Sequence, residues 1–307
     1  MKREIVIFGN GLVSQGIQET INADNNNFSL TVYGREEFAT NSINNLKLFV
    51  KRKKPEAIIL AIAATAGIVG HLTRAKEIQS ENQEINEKLI QILCDVPTHK
   101  LYNFVPGCVY PSLPENRSLS PTDLGSGTLE PSSELFAKNQ IERMKSLREI
   151  SGENNSWINL IVTNVIGVRN RKNKANYHVL PALIDSITIA KSKGLNKVSM
   201  PGSGSTVRDF IWNQDLGRIM KKLIESDLIN VESKSVLNIA GTGPVTIEQL
   251  SKIVSDALNY KGIILFEEQK SLTGTKYKLL QQSESINRLD FSLTPLVESI
   301  NNIVEGN

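Results

Sequence analysis

Short apolar runs alternate with helical patterns through the first half of this chain, and this alternation limits the folds that it can adopt. The apolar runs cover residues 4–9, 29–34, 57–63, 101–107 and 158–167. Amphipathic helical patterns separate them, including a long one over 74–95. Strands that alternate with helices form right-handed crossovers, which place the strands parallel in one sheet with helices on both faces. The sequence therefore predicts an α/β fold with a Rossmann-like, doubly wound parallel sheet.

The last third of the chain is less regular. Helical patterns over 178–192 and 246–258 stand between shorter strand-like runs, which predicts a smaller α+β lobe. We expect residues 1–166 to form a dinucleotide-binding domain, to which part of 205–245 returns, and residues 167–307 to form mainly a substrate-binding lobe. A cleft between them, at the carboxyl ends of the strands, is the expected ligand site.

Composition excludes several classes of protein. The chain has 307 residues, enough for a large core, and its formal net charge of +3 is too small to indicate a nucleic-acid partner. The basic run at 51–54 directly precedes an apolar strand and is interpreted as a solvated helix end. Two separate cysteines, Cys94 and Cys108, give neither a disulfide framework nor a metal site. Because we find no signal peptide and no apolar run of about 20 residues, we expect a cytoplasmic protein without a membrane partner.

The first strand runs into a glycine turn, IVIFGNGLVSQG, which is typical of dinucleotide-binding folds. Gly9 permits the tight turn, Gly11 lets the backbone approach a pyrophosphate, and Ser14 takes the small third position. Arg35 ends the second strand, where an acid usually holds the ribose of NAD, and a guanidinium there suits the 2′-phosphate of NADP. We therefore expect NADP, or else NAD, as the cofactor. A glycine turn that binds nothing and an Arg35 that is merely solvated remain the alternatives.

Several strings are more specific than these patterns. They are AATAGIVG at 63–70, CVYP at 108–111, GTLEP at 127–131, HVLPAL at 178–183 and GSGSTVRDF at 202–210. On these strings the chain resembles extended short-chain dehydrogenases/reductases of the NAD-dependent epimerase/dehydratase family, in the GDP-L-fucose synthase branch. The resemblance covers almost the whole chain in order. It implies a nucleotide-linked 4-keto sugar as substrate, which the family epimerises at C3 and C5 and reduces at C4 with NADPH, here for surface polysaccharide synthesis.

The reductase part of that reaction uses a Ser–Tyr–Lys set, and the resemblance places these positions on residues of other types. They fall on Pro106, Phe136 and Gln140. Phenylalanine has no proton to donate, glutamine carries no charge, and proline has neither a hydroxyl nor a backbone N–H. We therefore do not expect Tyr-dependent hydride transfer.

The epimerase part of the reaction uses a Cys and a His as acid and base on opposite faces of the sugar. The resemblance maps these catalytic positions onto Cys108 and His178, and both residue types are retained. Proton removal beside a ketone needs two titratable groups and no redox change. The plainer interpretation makes Cys108 a small buried hydrophobe at a strand end and His178 a residue that begins a helix.

The resemblance also implies binding residues. Arg208 matches an Arg that meets the nucleotide diphosphate, Asn164 an Asn that faces the substrate, and Lys278 a basic residue near the nucleotide sugar. Ala63 is the last residue of the third apolar run and is expected to contact the cofactor. Where the family has a second Arg, this chain has Ser186, so the resemblance does not decide which nucleotide carries the sugar.

Three functions remain open at this point. The first is an enzyme that epimerises a nucleotide-linked sugar through Cys108 and His178 without Tyr-dependent hydride transfer. The second is a pseudoenzyme that binds NAD(P) or a nucleotide sugar without turnover and acts as a partner subunit of another sugar enzyme. The third is an NADPH-dependent reductase whose acid is Cys108, Tyr110 or a substrate group. A homodimer through the helices at 74–95 and 132–149 is expected, with a heteromer as the alternative.

Overall fold

The computed structural model describes residues 2–23, 27–94, 96, 100–112, 116–152, 156–168, 178–226, 236–267 and 274–306. Within them the strands are β1 (Arg3–Phe8), β2 (Phe28–Tyr33), β3 (Ala57–Leu60), β4 (Lys100–Pro106), β5 (Trp157–Val162), β6 (Asn164–Ile166), β7 (Lys197–Pro201), β8 (Val207–Arg208), β9 (Phe210–Trp212), β10 (Val236–Ile239), β11 (Val245–Thr246) and β12 (Ile263–Glu267). The α-helices are α1 (Leu12–Ala23), α2 (Arg35–Thr40), α3 (Ile43–Lys53), α4 (Ile68–Thr73), α5 (Ala75–Leu93), α6 (Glu134–Ser151), α7 (Val179–Ser192), α8 (Asn213–Glu225), α9 (Ile247–Ala257), α10 (Glu284–Asn287) and α11 (Leu296–Glu305). Short 3-10 turns occupy Gly107–Val109, Pro121–Asp123 and Pro131–Ser133.

Strands from both halves of the chain form one parallel sheet in the order β10-β5-β4-β3-β1-β2. β1 lies between β2 and β3, so the order of the strands reverses at this point of the sheet. In doubly wound folds, ligands bind outside the carboxyl ends of the strands where the order reverses. The predicted α/β fold class is confirmed.

Alternate residues of β1 face two separate apolar cores. Ile5 and Ile7 pack with α1 and α8 on one face of the sheet, whereas Val6 and Phe8 pack with α3 and α5 on the other. All of these side chains are fully buried. Successive side chains of a strand point to opposite faces, so a strand that is apolar on both sides belongs between two layers of helix.

Helices α1 and α8 cross at two glycines, Gly16 and Gly217. A Cβ on Gly16 would lie 1.8 Å from the backbone oxygen of Asn213, and one on Gly217 would lie 2.1 Å from the backbone oxygen of Gly16. Real carbon and oxygen atoms do not approach so closely, so the crossing requires glycine at both positions. It holds α8, which comes from the later part of the chain, against the same face of the sheet as α1.

A third apolar core lies in the C-terminal part of the chain. Apolar residues of α7, α9 and α11 pack there with the parallel pair β7 and β12. Its fully buried members include Leu183, Ile187, Leu250, Val254 and Ile300. This is the smaller α+β lobe that the sequence predicts. Strand β10 returns to pair with β5 in the main sheet, and the domain limits of 1–166 and 167–307 stay a prediction.

The apolar run 158–167 predicts one strand, and the structure has two. β5 ends before Thr163, and β6 leaves the main sheet to pair with β9. Thr163 Oγ1 donates a hydrogen bond of 3.0 Å, and Asn164 Nδ2 one of 2.8 Å, to the backbone oxygen of Asp209. These two bonds tie the chain to the segment before β9, while the Thr163 N–H still donates a bond of 3.2 Å to the backbone oxygen of Ile239 in β10.

Candidate functional site

The glycine turn between β1 and α1 lies where the strand order reverses. Gly9 has a φ of +116°, and a Cβ there would lie 2.1 Å from the backbone oxygen of Ala61, so only glycine fits. At Gly11, by contrast, a Cβ would meet nothing within 4 Å. Gly9 is therefore in close contact with the chain that follows β3, whereas Gly11 leaves open space at the amino end of α1, the positive end of the helix dipole. An anionic pyrophosphate suits this place.

Ser14, the third residue of the predicted motif, lies inside α1. It is fully buried, and its Oγ accepts a hydrogen bond of 3.1 Å from Gln18 Nε2. The close packing that the third small residue of this motif usually provides comes from Gly16 instead. The assignment of Ser14 as a cofactor-binding residue stays a prediction.

Arg35 is the first residue of α2 and follows the end of β2, rather than being the last residue of the strand. Its side chain is 60% exposed, and its Nη1 lies 3.4 Å from Glu81 Oε2 on α5. An exposed ion pair of this length contributes little to stability. The guanidinium is therefore able to turn towards a 2′-phosphate.

The loop that follows β3 carries Ala63 and is held by Asn82 of α5. The fully buried Asn82 side chain accepts a hydrogen bond of 3.0 Å from the backbone N–H of Ala64 and donates one of 2.8 Å to its oxygen. A further bond of 2.6 Å joins Asn82 Nδ2 to the backbone oxygen of Ile78. Asn82 positions the loop that is expected to meet the cofactor. It interrupts the apolar stripe of α5, which is the signal by which sequence reasoning could have found it.

Phe136, at the position of the family Tyr, fills an apolar pocket and is 5% exposed. Its neighbours in that cluster are Ala63, Ala66, Ile78 and Cys108. The ring of His71, from α4, packs against Phe136 with the two centroids 5.1 Å apart and the ring planes tilted by 39°. Burial lowers the pKa of His71, which keeps its imidazole neutral at pH 7. Residue 136 thus presents an aromatic surface without a proton donor, and His71 is a titratable neighbour that the sequence did not single out.

Gln140 and Arg143 form a buried polar pair on α6. Arg143 Nη2 donates a hydrogen bond of 2.6 Å to Gln140 Oε1. Both residues are almost completely buried, with at most 1% of their surface exposed. This burial lowers the pKa of Arg143 to about 10. Arg143 remains charged at neutral pH, so a cation is present in the core one helical turn away from the position of the family Lys. Sequence reasoning overlooked Arg143.

Strand β4 ends at Pro106, and the 3-10 turn that follows places Cys108 at the carboxyl edge of the sheet. Tyr110, just beyond, is fully buried, and its hydroxyl donates a hydrogen bond of 2.6 Å to Asn238 Oδ1 on β10. Burial also raises the pKa of Tyr110. The Tyr110 hydroxyl is therefore bound into the core, which makes it a poor stand-in for a catalytic acid.

The Cys108 thiol has an environment that keeps its proton in place. Burial raises its pKa to about 12, the Lys278 ammonium opposes that shift, and the Glu130 carboxylate adds to it. The residue as a whole is nevertheless partly exposed. At neutral pH the thiol is protonated, so Cys108 can act as a proton donor but not as a resident base.

Beside Cys108 lies a charged group that we call the Glu130 cluster: Glu130, Arg208, Thr275 and Lys278. Glu130 Oε2 accepts a hydrogen bond of 2.9 Å from Thr275 Oγ1 and lies 3.9 Å from Lys278 Nζ. Arg208 Nη1 donates a bond of 2.8 Å to the backbone oxygen of Thr275. Burial lowers the pKa of both Arg208 and Lys278, and the Glu130 charge opposes this shift. With two cations and one carboxylate, the cluster has a net positive charge and suits an anion. Glu130 was not singled out from the GTLEP string.

The remaining predicted residues lie at other edges of the same region. Asn164 begins β6 and is exposed, with its Nδ2 bonded to the backbone oxygen of Asp209. His178 precedes α7 and is exposed, and the chain before it, 169–177, lies outside the described residues. The structure thus brings Cys108 next to the Glu130 cluster, whereas its pairing with His178 stays a prediction.

Within the described ranges, no group of His, Cys, Asp and Glu side chains could hold a metal ion. No helix in this part of the chain is both long and apolar enough to cross a membrane.

The raised pKa of Cys108 predicts slow alkylation. At about pH 8 we expect iodoacetamide to modify the exposed Cys94 readily and Cys108 hardly at all, because only the thiolate reacts. The alkylation rate of Cys108 should still increase with pH at about pH 10, where the rate for a thiol with an ordinary pKa no longer changes. Timed quenching and peptide mass spectrometry measure both rates. Equal rates at the lower pH would contradict the buried, protonated thiol.

The NAD dependent epimerase/dehydratase family model matches residues 12–240. The GDP-L-fucose synthase of Sinorhizobium fredii is 27% identical over 288 residues, covering 93% of this chain and 88% of that protein. The Escherichia coli GDP-L-fucose synthase is 26% identical over 287 residues, covering 91% of this chain and 88% of that protein.

Solved structures share the whole fold. The GDP-mannoheptose C4 reductase from Campylobacter jejuni, with NADP bound, is 24% identical with a TM-score of 0.82, covering 99% of this chain and 98% of that chain. A GDP-L-fucose synthetase from Naegleria fowleri, bound to NADP, is 19% identical with a TM-score of 0.81, covering 99% of this chain and 92% of that chain. On the match over most of its length, the chain belongs to the NAD dependent epimerase/dehydratase family.

Proposed function

We propose that this protein binds NADP and a nucleotide-linked 4-keto sugar, and that it epimerises the sugar by proton transfer through Cys108 and His178. The curated relatives are named as GDP-L-fucose synthases, which supports a nucleotide sugar as the substrate class. One observation carries the choice of proton transfer over hydride transfer. The retained Cys108 is a protonated thiol beside an anion-binding cluster, whereas Phe136 offers no proton at the position of the family Tyr.

The residues of the glycine turn fit a dinucleotide. Gly11 leaves room for a pyrophosphate at the start of α1, and Arg35 is exposed enough to meet a 2′-phosphate. Ala63 lies in the loop that Asn82 holds in place. NADP would supply hydride chemistry in the relatives that reduce their sugars. In this proposal NADP is bound without turnover, and NAD is the alternative cofactor.

The Glu130 cluster fits the diphosphate of a nucleotide sugar. Arg208 Nη1 is bonded to backbone oxygens at Val207 and Thr275, while Nε and Nη2 have no acceptor among the residues that the structure describes. Two N–H groups of a planar guanidinium are thus available for a bidentate contact with phosphate oxygens. Lys278 adds a second positive charge near Cys108. Asn164 would meet the sugar from the start of β6.

The proposed proton steps start from the protonated thiol of Cys108. Imidazole commonly accepts a proton at neutral pH, so His178 takes the proton from the carbon beside the keto group as the C–H bond breaks. The electron pair moves into an enolate. Cys108 then gives its S–H proton to the opposite face of that carbon, the C=O bond re-forms, and the configuration is inverted. His178 then releases its proton to water and water returns a proton to the Cys108 thiolate, so both groups regain their starting states and the cycle involves no net redox change.

Incubation in D₂O tests this proposal. Keto sugars linked to GDP and to other nucleotides are mixed with the protein, and NMR follows the signals at C3 and C5. We expect one of these positions to lose its proton signal as deuterium enters from solvent. If none of the sugars exchanges above the rate without protein, epimerisation is excluded for them.

The pseudoenzyme remains the second candidate, and the apolar pocket around Phe136 favours it, because that pocket lacks the groups for reduction. Such a protein would purify in a stable heteromer with another sugar enzyme and show no turnover alone. Mass spectrometry of the denatured protein identifies which ligand is retained.

Homodimer formation is likewise a prediction, and size-exclusion chromatography with light scattering measures it.

Restoring two family residues, Phe136→Tyr with Gln140→Lys, is expected to create no NADPH-dependent reductase. Pro106 still lacks a hydroxyl and an N–H, and a lysine at 140 would place an ammonium beside the buried guanidinium of Arg143. Uncompensated charge in the core destabilises a protein, so we expect the free energy of unfolding to fall by about 3 kcal/mol. Urea unfolding and the absorbance of NADPH measure the two effects, with Phe136→Tyr alone as the control. NADPH consumption by the double variant with a keto sugar would contradict the account.

A further inference from the structure

The enolate of the proposed proton steps carries negative charge on the former keto oxygen. A hydrogen-bond donor placed at such an oxygen commonly contributes about 100- to 1,000-fold to the rate. Pro106 has no N–H and Phe136 no hydroxyl, so neither residue provides this donor. The side chains of Tyr110 and Asn164 already donate to oxygens of the protein. The reaction therefore calls for a donor from another element of the site.

His71 is a free donor that lies against Phe136, with the centroids of the two rings 5.1 Å apart. Among the residues that the structure describes, neither ring nitrogen of His71 has a hydrogen-bond partner, yet neither is sealed from solvent. The residue as a whole keeps 9% of its surface exposed. A bound molecule can therefore reach the ring nitrogens of His71.

The imidazole of His71 is in the protonation state that this role requires. Burial lowers its pKa, so the ring is neutral at pH 7 and has one N–H donor. A neutral imidazole can polarise a keto group by donating a hydrogen bond to the oxygen while it keeps its own proton. His71 can thus stabilise an enolate without entering the proton transfer.

Helix α4 holds His71 at the same edge of the sheet as Cys108. The helix follows the loop after β3 and contacts the 3-10 turn Pro131–Ser133, which comes directly after Glu130. Cys108 packs against the apolar cluster that contains Phe136, the residue on which the His71 ring lies. The keto oxygen is attached to the carbon next to the one that Cys108 protonates. A donor for that oxygen must therefore lie close to the thiol, as His71 does.

We propose that His71 is a further catalytic residue, whose ring N–H donates a hydrogen bond to the keto oxygen of the bound sugar and stabilises the enolate. This inference rests on the epimerisation in the proposed function. His178 still takes the proton from carbon, and Cys108 still gives one to it. The hydrogen bond from His71 strengthens as the C–H electron pair moves towards oxygen, and it weakens when the C=O bond re-forms.

Deuterium exchange tests the inference in three variants. His71→Leu and His71→Phe remove the donor and differ in shape, so one suffices if the other does not fold, whereas His71→Gln keeps a neutral donor. We expect exchange at C3 or C5 to slow by at least about 100-fold without the donor and by less than about tenfold in His71→Gln. Leu72→Gln, on the exposed side of the same helix, is the control and should keep the wild-type rate.

The ¹³C signal of the keto carbon gives a readout that a purely structural role would not move. A sugar labelled at C4 is bound to the Cys108→Ala, His178→Ala double variant, which cannot transfer the protons. A hydrogen bond to the keto oxygen withdraws electrons from this carbon and moves its signal downfield. We expect the downfield shift to disappear when His71→Leu or His71→Phe is added, and to persist with His71→Gln or Leu72→Gln.

Each outcome has a distinct meaning. If the wild type exchanges and the variants without the donor match its rate, the inference is overturned while epimerisation stands. Slow exchange with an unchanged ¹³C shift makes His71 merely structural and also overturns the inference. If the wild type exchanges no sugar but the ¹³C shift depends on His71, epimerisation falls and the contact with the keto oxygen stands. If no sugar shows either effect, both fall.

Discussion

Replacing either Cys108 or His178 with alanine is expected to slow deuterium exchange into the keto sugar by at least about 100-fold. A positioned acid or base commonly contributes between about 100- and 10,000-fold to a proton-transfer step. The two groups act on one reaction, so the double variant should be little slower than the slower single variant. NMR rates in D₂O measure all three, and a thermal melt confirms that each variant is folded.

Cys94→Ala is the matched control for this experiment. Cys94 is exposed at the end of α5, near the amino edge of the sheet where β4 begins, so it is remote from the carboxyl edge that carries Cys108. Its loss should leave the exchange rate unchanged. Exchange that persists at the wild-type rate in His178→Ala would show that this residue is not the base.

Gly16→Ala is expected to lower the free energy of unfolding by roughly 3 kcal/mol, at the upper end of what overpacking usually does. The added Cβ would lie 1.8 Å from the backbone oxygen of Asn213, and neither atom belongs to a flexible side chain. Helices α1 and α8 would have to separate, and apolar residues of α8 that cover the sheet would move with them. Urea unfolding followed by circular dichroism measures the loss.

Gly11→Ala is the matched control on the same turn. A Cβ there meets nothing within 4 Å, so stability should stay within about 0.5 kcal/mol of the wild type. NADP⁺ affinity should nevertheless fall, because the methyl group occupies the space proposed for the pyrophosphate. If Gly16→Ala is as stable as Gly11→Ala, the close crossing of α1 and α8 is wrong.

The main sheet could be predicted from sequence because its strands are apolar on both faces and its helices separate them regularly. Ile5 to Phe8 are an example, since a run without polar residues leaves few alternatives to a buried parallel strand. The split at Thr163 could not be predicted. It depends on hydrogen bonds to Asp209, which lies far along the chain.

The candidate site could be predicted only where the sequence resembles its family. Cys108 and Arg208 were located through the strings CVYP and GSGSTVRDF, which resemble the family. The structure places both residues beside Glu130. Arg143 and His71 could not be found from sequence, because each belongs to the site only through a contact that the fold creates. Arg143 bonds to Gln140, one turn earlier on the same helix, and His71 packs against Phe136 of another helix. A charged residue in an amphipathic helix ordinarily faces solvent, and only the fold shows that Arg143 does not.

The central claim is that this protein moves protons and not hydride. One reaction tests it most directly: a nucleotide-linked 4-keto sugar that exchanges in D₂O is incubated in ordinary water with NADPH deuterated at the transferable position. The account predicts that the absorbance of NADPH stays constant and that mass spectrometry finds no cofactor deuterium at C4 of the sugar, while the parallel D₂O sample gains deuterium at C3 or C5. Deuterium at C4, with matching loss of NADPH, would contradict the account and establish a reductase with a different acid.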